Sequence, residues 1–168
     1  LRGGFGRTIR IFCLDHHDDR LAMAEQFGAD AVLNTCRGQA GVGLKEAFGV
    51  ERADIVIEAV GSKQAHQEAF GLLGRGGTLV AFGGVAQGTM LPLDLHRLHY
   101  EEAQIVPIYH HTPMDFARAV EAIIRREVPV KRLITARLPL KELPRALEMV
   151  RQRTTLRTIL LPWDGSGT

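Results

Sequence analysis

An acidic residue closes the first strand-like segment of this chain. Residues 8–15 read Thr-Ile-Arg-Ile-Phe-Cys-Leu-Asp, so Asp15 stands where a strand gives way to a helix. A carboxylate at the carboxyl end of a strand can accept both hydroxyls of a ribose. Its charge repels a 2′-phosphate, so the position favours NAD over NADP. The same group serves equally well as a helix cap or a surface acid. Arg20, five residues on, reaches the same ribose or adenine, or makes a solvent salt bridge worth about a few tenths of a kcal/mol. His16 and His17 fill the turn where an adenine edge would pass, and read as exposed histidines.

Two further segments end strands in a way that suits a ligand. Ala59-Val60-Gly61 and Phe82-Gly83-Gly84 follow successive apolar runs. Ligands of open α/β sheets lie beyond such carboxyl ends, and glycine there permits close backbone approach or simply a tight turn. Glu58, at the end of its strand, reads as a structural carboxylate. Arg157 opens the last strand; its fork suits a pyrophosphate, or it is an edge charge that discourages aggregation. His96 and His99 lie three apart on a short helix, and His110-His111 follow a strand, but no three or four ligands assemble into a metal site. Neither a Ser/His/Asp arrangement nor a phosphate-loop lysine motif is present.

The elements that must position these residues alternate. Ile9–Leu14 is an apolar strand, followed by a helix capped by Asp18 or Asp19 and stopped at Gly28, then by a short strand, Ala31–Leu33. Residues 35–49 are glycine-rich and only loosely helical near Leu44–Phe48. A strand at Asp54–Val60, a helix at Gln64–Leu73, a turn at Gly76-Gly77 and a strand at Thr78–Phe82 follow. After an excursion over 85–100 come a short helix at Leu95–Tyr100, a strand at Gln104–Tyr109 that Pro107 marks as an edge, and a helix at Met114–Arg125 preceded by Pro113. Ile134–Leu138, helical Leu140–Val150 and Leu156–Leu161 complete the pattern, with a polar tail at 164–168. Such alternation predicts a layered α/β fold with a mostly parallel sheet. The expected division is a partial nucleotide-binding domain over 1–130, a C-terminal segment over 131–163 and the tail.

Composition narrows the class. The chain has 168 residues, 45% apolar and 24% charged, with a net charge of +2, which argues for neither a nucleic-acid nor a membrane partner. Two cysteines, Cys13 and Cys36, make no disulfide framework and fit a reducing, cytoplasmic setting. There is no run of 18 apolar residues and no signal-peptide pattern. Gly3-Gly4-Phe5-Gly6 lacks the preceding strand that a phosphate-binding turn requires, and reads as a turn or chain end.

The order of several stretches resembles the C-terminal part of medium-chain, zinc-dependent alcohol and polyol dehydrogenases. They are Phe12-Cys-Leu-Asp15 with Arg20-Leu-Ala-Met-Ala, Phe27 to Asn34, Asp54 to Gly61 and Gly76 to Gly83, then His99 to Glu102, His110 to Pro113, Leu140 to Leu147 and Leu156 to Leu160. The resemblance implies a Rossmann-like sheet in which Asp15 and Arg20 bind the adenosine ribose of NAD. It places Val60 and Gly61 beside the adenosine half, Phe82, Gly83 and Gly84 along the nicotinamide half, and Arg157 near the pyrophosphate. It further implies a small-molecule substrate, a homo-oligomer with the 104–109 strand at a subunit contact, and a secondary alcohol or polyol oxidised to a ketone.

The zinc ligands of that family, and its Gly-x-Gly-x-x-Gly turn, correspond to nothing in these 168 residues. The expectation is a fragment with no catalytic residue of its own, inactive alone, with zinc belonging to a longer parent. A non-catalytic nucleotide-binding or subunit-interaction module is the alternative. In the strand order 3-2-1-4-5-6, loss of the first strand would leave a gap between the segment at 9–14 and that at 54–60.

Overall fold

A computed structural model describes residues 9–162. The glycine turn expected at 3–6 and the tail at 164–168 lie outside the described residues. The chain divides into two compact units, one ending at His110 and the other beginning at His111.

In the first unit, β1 (Phe12–Asp15) lies parallel to β2 (Ala31–Asn34), with Phe12 opposite Ala31 and Asp15 opposite Asn34. A parallel pair needs a crossover, which α1 (Asp18–Gln26) supplies. β1 begins at Phe12 rather than Ile9 because the Ile11 N–H donates to the Asp30 carboxylate at 2.8 Å and the Ile11 carbonyl is taken by the 30–31 amides. The expected cap at Asp18 or Asp19 is not made. His17 holds the cap position without a side-chain bond, and both acids sit in the first turn, where the helix dipole favours them. α2 (Ala40–Phe48) is a full helix rather than a loose one. Gly43 lets it close on the sheet: a Cβ there would lie 3.0 Å from both Leu33 and Phe12 side chains.

β3 (Ala53–Glu58), β4 (Leu73–Ala81) and β5 (Gln104–Pro107) form a second parallel sheet, with α3 (Lys63–Gly71) and α4 (Leu95–Tyr100) on the connections. The glycines expected as a turn before β4 are inside it. Ala53 faces Leu73 and Ile55 faces Thr78, so Gly76-Gly77 lie in the bulge that absorbs the mismatch. Pro107 ends β5, which pairs only with β4 among the described residues.

Phe70, Leu73, Leu79, Ala69 and Ala103 form the core, with Val56, Leu93, Leu98 and Ile105 packed against it. Leu73 and Leu79 are fully buried; each such leucine contributes about 1.5–3 kcal/mol of transfer free energy. Arg97 pins α4 onto this core. Its guanidinium donates to the carbonyls of Phe70 and Leu73, pairs with Glu101 at 2.7 Å and lies over the Phe70 ring. The two sheets are separate: among the described residues nothing pairs with the outer edge of β1 or of β3. Ile55 and Ile57, on the face of β3 away from Val56 and Glu58, are more than half exposed.

The second unit has its own parallel pair, β6 (Ile134–Pro139) and β7 (Arg157–Leu161), linked by α6 (Leu143–Arg151). It opens with α5 (Pro113–Ile124), where Thr112 and Asp115 make a reciprocal capping box and Pro113 stands at the first helical position. Thr135 and Thr155 hydroxyls meet at 2.7 Å and tie β6 to the approach of β7. No helix among the described residues is long and apolar enough to cross a membrane.

Candidate nucleotide-binding site

The residues singled out in the sequence fall on strand ends. Asp15 is the last residue of β1. Its Oδ1 accepts from the His17 N–H at 2.9 Å, and Oδ2 stands 3.8 Å from an Arg20 nitrogen. Both side chains are about a quarter to a third exposed, at 26% for Arg20 and 30% for Asp15. One oxygen is thus oriented by the backbone, while the other keeps acceptor capacity toward solvent beside a cation. That is the donor-seeking arrangement a ribose diol requires. Across from it, Asn34 closes β2 and donates to the His16 carbonyl and to Asp18, whose carboxylate also takes Arg37 at 2.6 Å. These bonds from Asn34 and Arg37 hold the Asp18 carboxyl below its ordinary range. Sequence reasoning missed this Asn34–Asp18–Arg37 cluster, because its members come from three separate segments.

The ends of β3 and β4 meet through Glu58. Its Oε1 accepts from the N–H groups of Val60 and Gly61, both at 2.8 Å. Its main-chain carbonyl accepts from Phe82 at 3.0 Å and Gly83 at 2.8 Å. Gly61 has φ of 79°, in the left-handed region, and a Cβ there would strike the Gly84 carbonyl. A Cβ on Gly83 would strike the Gly61 nitrogen and the Glu58 carboxylate. The structure therefore brings Val60, Gly61, Phe82, Gly83 and Gly84 together as one rim, with Val60 and Phe82 side chains exposed. Glu58 is structural, as read, and 4% exposed. His66, which approaches it from α3, carried no sequence signal beyond its place on a helix behind the Ser62 cap.

Arg157 opens β7 opposite Ile134, is exposed, and belongs to the second unit, whereas the other seven residues belong to the first. Cys13, within β1, is half-buried, and burial pushes its thiol up.

Parallel strands joined by helices, with a carboxylate and paired glycine turns at their carboxyl ends, define an α/β protein of the Rossmann-like class. The profile of the zinc-binding dehydrogenase family matches residues 4–125, and the chain belongs to that family. It is 26% identical over 155 residues to erythritol/L-threitol dehydrogenase of Mycolicibacterium smegmatis, covering 92% of this chain and 42% of that protein. It is 28% identical to 5-exo-hydroxycamphor dehydrogenase of Pseudomonas putida, over 89% of this chain and 43% of the relative. The crystal structure of an alcohol dehydrogenase from Thermotoga maritima superposes with a TM-score of 0.83 at 29% identity, over 92% of this chain and 44% of that one. The chain thus spans less than half the length of the relatives it matches. Among the described residues no three His, Cys, Asp or Glu side chains converge to hold a metal ion. They do not fit the zinc that the family name implies.

Proposed function

We propose that this chain is the nucleotide-binding portion of an NAD-dependent oxidoreductase that oxidises a secondary alcohol or polyol to a ketone, and that alone it turns over no substrate. Membership of the family and the alcohol and polyol substrates named for its relatives support the reaction class. The observation that carries the cofactor assignment is Asp15: a strand-end carboxylate with one oxygen fixed by the His17 amide and the other open beside Arg20. In this reading Asp15 takes the adenosine ribose, Arg20 flanks it, and the rim of Val60, Gly61, Phe82, Gly83 and Gly84 follows the rest of the dinucleotide. The assembled protein is a homo-oligomer acting on a small molecule.

Titration with NADH and NADPH, followed by fluorescence, tests this. NADH is expected to bind the tighter of the two. A charge-assisted pair of hydrogen bonds is worth about 1.5–3 kcal/mol, so Asp15→Ala should weaken NADH about 10- to 100-fold and narrow the preference over NADPH. Equal NADH affinity in the wild type and Asp15→Ala would refute the assignment.

A further inference from the structure

Glu58 is a buried carboxylate whose second oxygen faces only one polar group. Oε1 is satisfied by the Val60 and Gly61 amides. Oε2 has no hydrogen-bond partner among the described residues, and the His66 Nε2 approaches it to 3.2 Å. The His66 side chain is itself 12% exposed, and its Nδ1 stands 2.9 Å from the Ser62 carbonyl oxygen. A carbonyl can only accept, so Nδ1 carries a hydrogen. In the neutral ring Nε2 then presents a lone pair, and against an ionised carboxylate two lone pairs would oppose each other in a buried site. The contact becomes a hydrogen bond only with one more proton in the pair, on Nε2 or on Oε2. Both side chains are largely shielded from water, so the contact fixes the carboxylate against the α3 ring. The other charged residues of the packed elements, Asp54 on β3, Lys63 and Glu68 on α3 and Arg75 on β4, are all exposed.

We propose that Glu58 and His66 are positioning residues that together lock the β3 and β4 end turns into a fixed rim for the nucleotide. The proposal rests on the nucleotide reading above. Mechanically, His66 holds the carboxylate in place, and the carboxylate aims the Val60 and Gly61 amides. The Glu58 main chain fixes Phe82 and Gly83.

The test uses the 168-residue chain with His66→Leu and His66→Gln, since a glutamine amide can still donate to Oε2. Hydrogen exchange of the Val60 and Gly61 amides is read by NMR and NADH affinity by fluorescence. His66→Leu should lower the protection of both amides about tenfold and weaken NADH by a similar factor, while His66→Gln stays within about twofold of wild type. Undisturbed amides in His66→Leu, or equal damage from leucine and glutamine, would overturn the proposal, the latter reducing His66 to packing. Loosened amides with unchanged NADH affinity would overturn the positioning role. If the wild-type chain binds no NADH, the nucleotide reading fails with the positioning role, and amide exchange alone still decides whether the His66–Glu58 clamp exists.

Discussion

Replacing Gly83 by alanine should damage the first unit far more than replacing its neighbour Gly84. A Cβ on Gly83 would lie 2.7 Å from the Gly61 Cα, and closer still to the Gly61 nitrogen and the Glu58 carboxylate. Carbon atoms in contact prefer about 3.5–4.0 Å. Neither side can give way freely. The Gly61 N–H is bound to Glu58 Oε1 and the Gly83 N–H to the Glu58 carbonyl, each at 2.8 Å. Relief requires breaking at least one of these, at about 1.5–3 kcal/mol for the bond to the carboxylate, on top of about 1–3 kcal/mol for overpacking. The expected loss is about 3–4 kcal/mol, which in a chain of this size lowers the thermal midpoint by roughly 10 °C. A Cβ on Gly84 meets nothing within 4 Å, so Gly84→Ala should stay within about 1 kcal/mol of wild type. Circular dichroism melts and urea titrations on the two variants decide the matter. Midpoints within about 2 °C of each other would refute the account of the 58–61 and 82–84 turns as one interlocked unit.

Arg97→Met keeps much of the apolar stem but leaves the Phe70 and Leu73 carbonyls without their donor; urea unfolding should show a loss of about 3 kcal/mol, against almost none for Arg37→Met at the exposed Asp18 pair. Hydrogen bonds from Asn34 and Arg37 to Asp18, from Lys45 to Glu51, from Arg97 to Glu101 and from Thr112 to Asp115 hold these four carboxyls below their ordinary range. Folded-state values below the unfolded ones mean that this stability is present above about pH 4–4.5 and is lost as pH falls through the folded values. Melting temperature should therefore be level from about pH 5.5 upward and decline below about pH 4, and a level profile down to about pH 3 would contradict the pairing. Cys36 is exposed, while burial raises the Cys13 thiol, so a disulfide reagent at about pH 8 should modify Cys36 at least about tenfold faster, with Cys13→Ser assigning the two phases.

The alternation of strands and helices was legible because apolar runs such as Ile55-Val56-Ile57 and Thr78-Leu79-Val80 are bounded by glycine turns and separated by helix-length segments. Boundaries failed where tertiary bonds decide them. Ile11 leaves β1 because Asp30 captures its amide, and β4 begins at Leu73 because a bulge, invisible to periodicity, absorbs Gly76-Gly77. α2 looked weak because glycine lowers helix propensity, yet Gly43 is what allows its approach to Leu33 and Phe12. The strand-end positions were legible because the local pattern marks where strands stop. The partners that make them rigid were not. His66 reaches Glu58 across eight residues, and Arg97 reaches Phe70 across 27, distances over which single-sequence patterns carry no information.

Each strand end is held by its own neighbourhood. Asp15 is oriented by the amide two residues on, and Glu58 by the amides of its own turn and by α3. Neither depends on β1 and β3 being paired, and among the described residues they are not. The two pieces of the rim are therefore prebuilt separately, and what joining the sheets adds is their mutual placement rather than their local geometry. A dinucleotide gains most of its affinity when both ends are engaged at once, because the second contact then becomes intramolecular. This chain should accordingly favour NADH over adenosine fragments by no more than about the tenfold that the β3 and β4 rim supplies, whereas a protein in which the β1 and β3 edges are bridged should prefer the whole dinucleotide far more strongly. Comparing ADP-ribose, AMP and NADH on this chain measures that difference. A large preference for NADH on the isolated chain would show that the two sheets are already fixed to one another without a bridging strand.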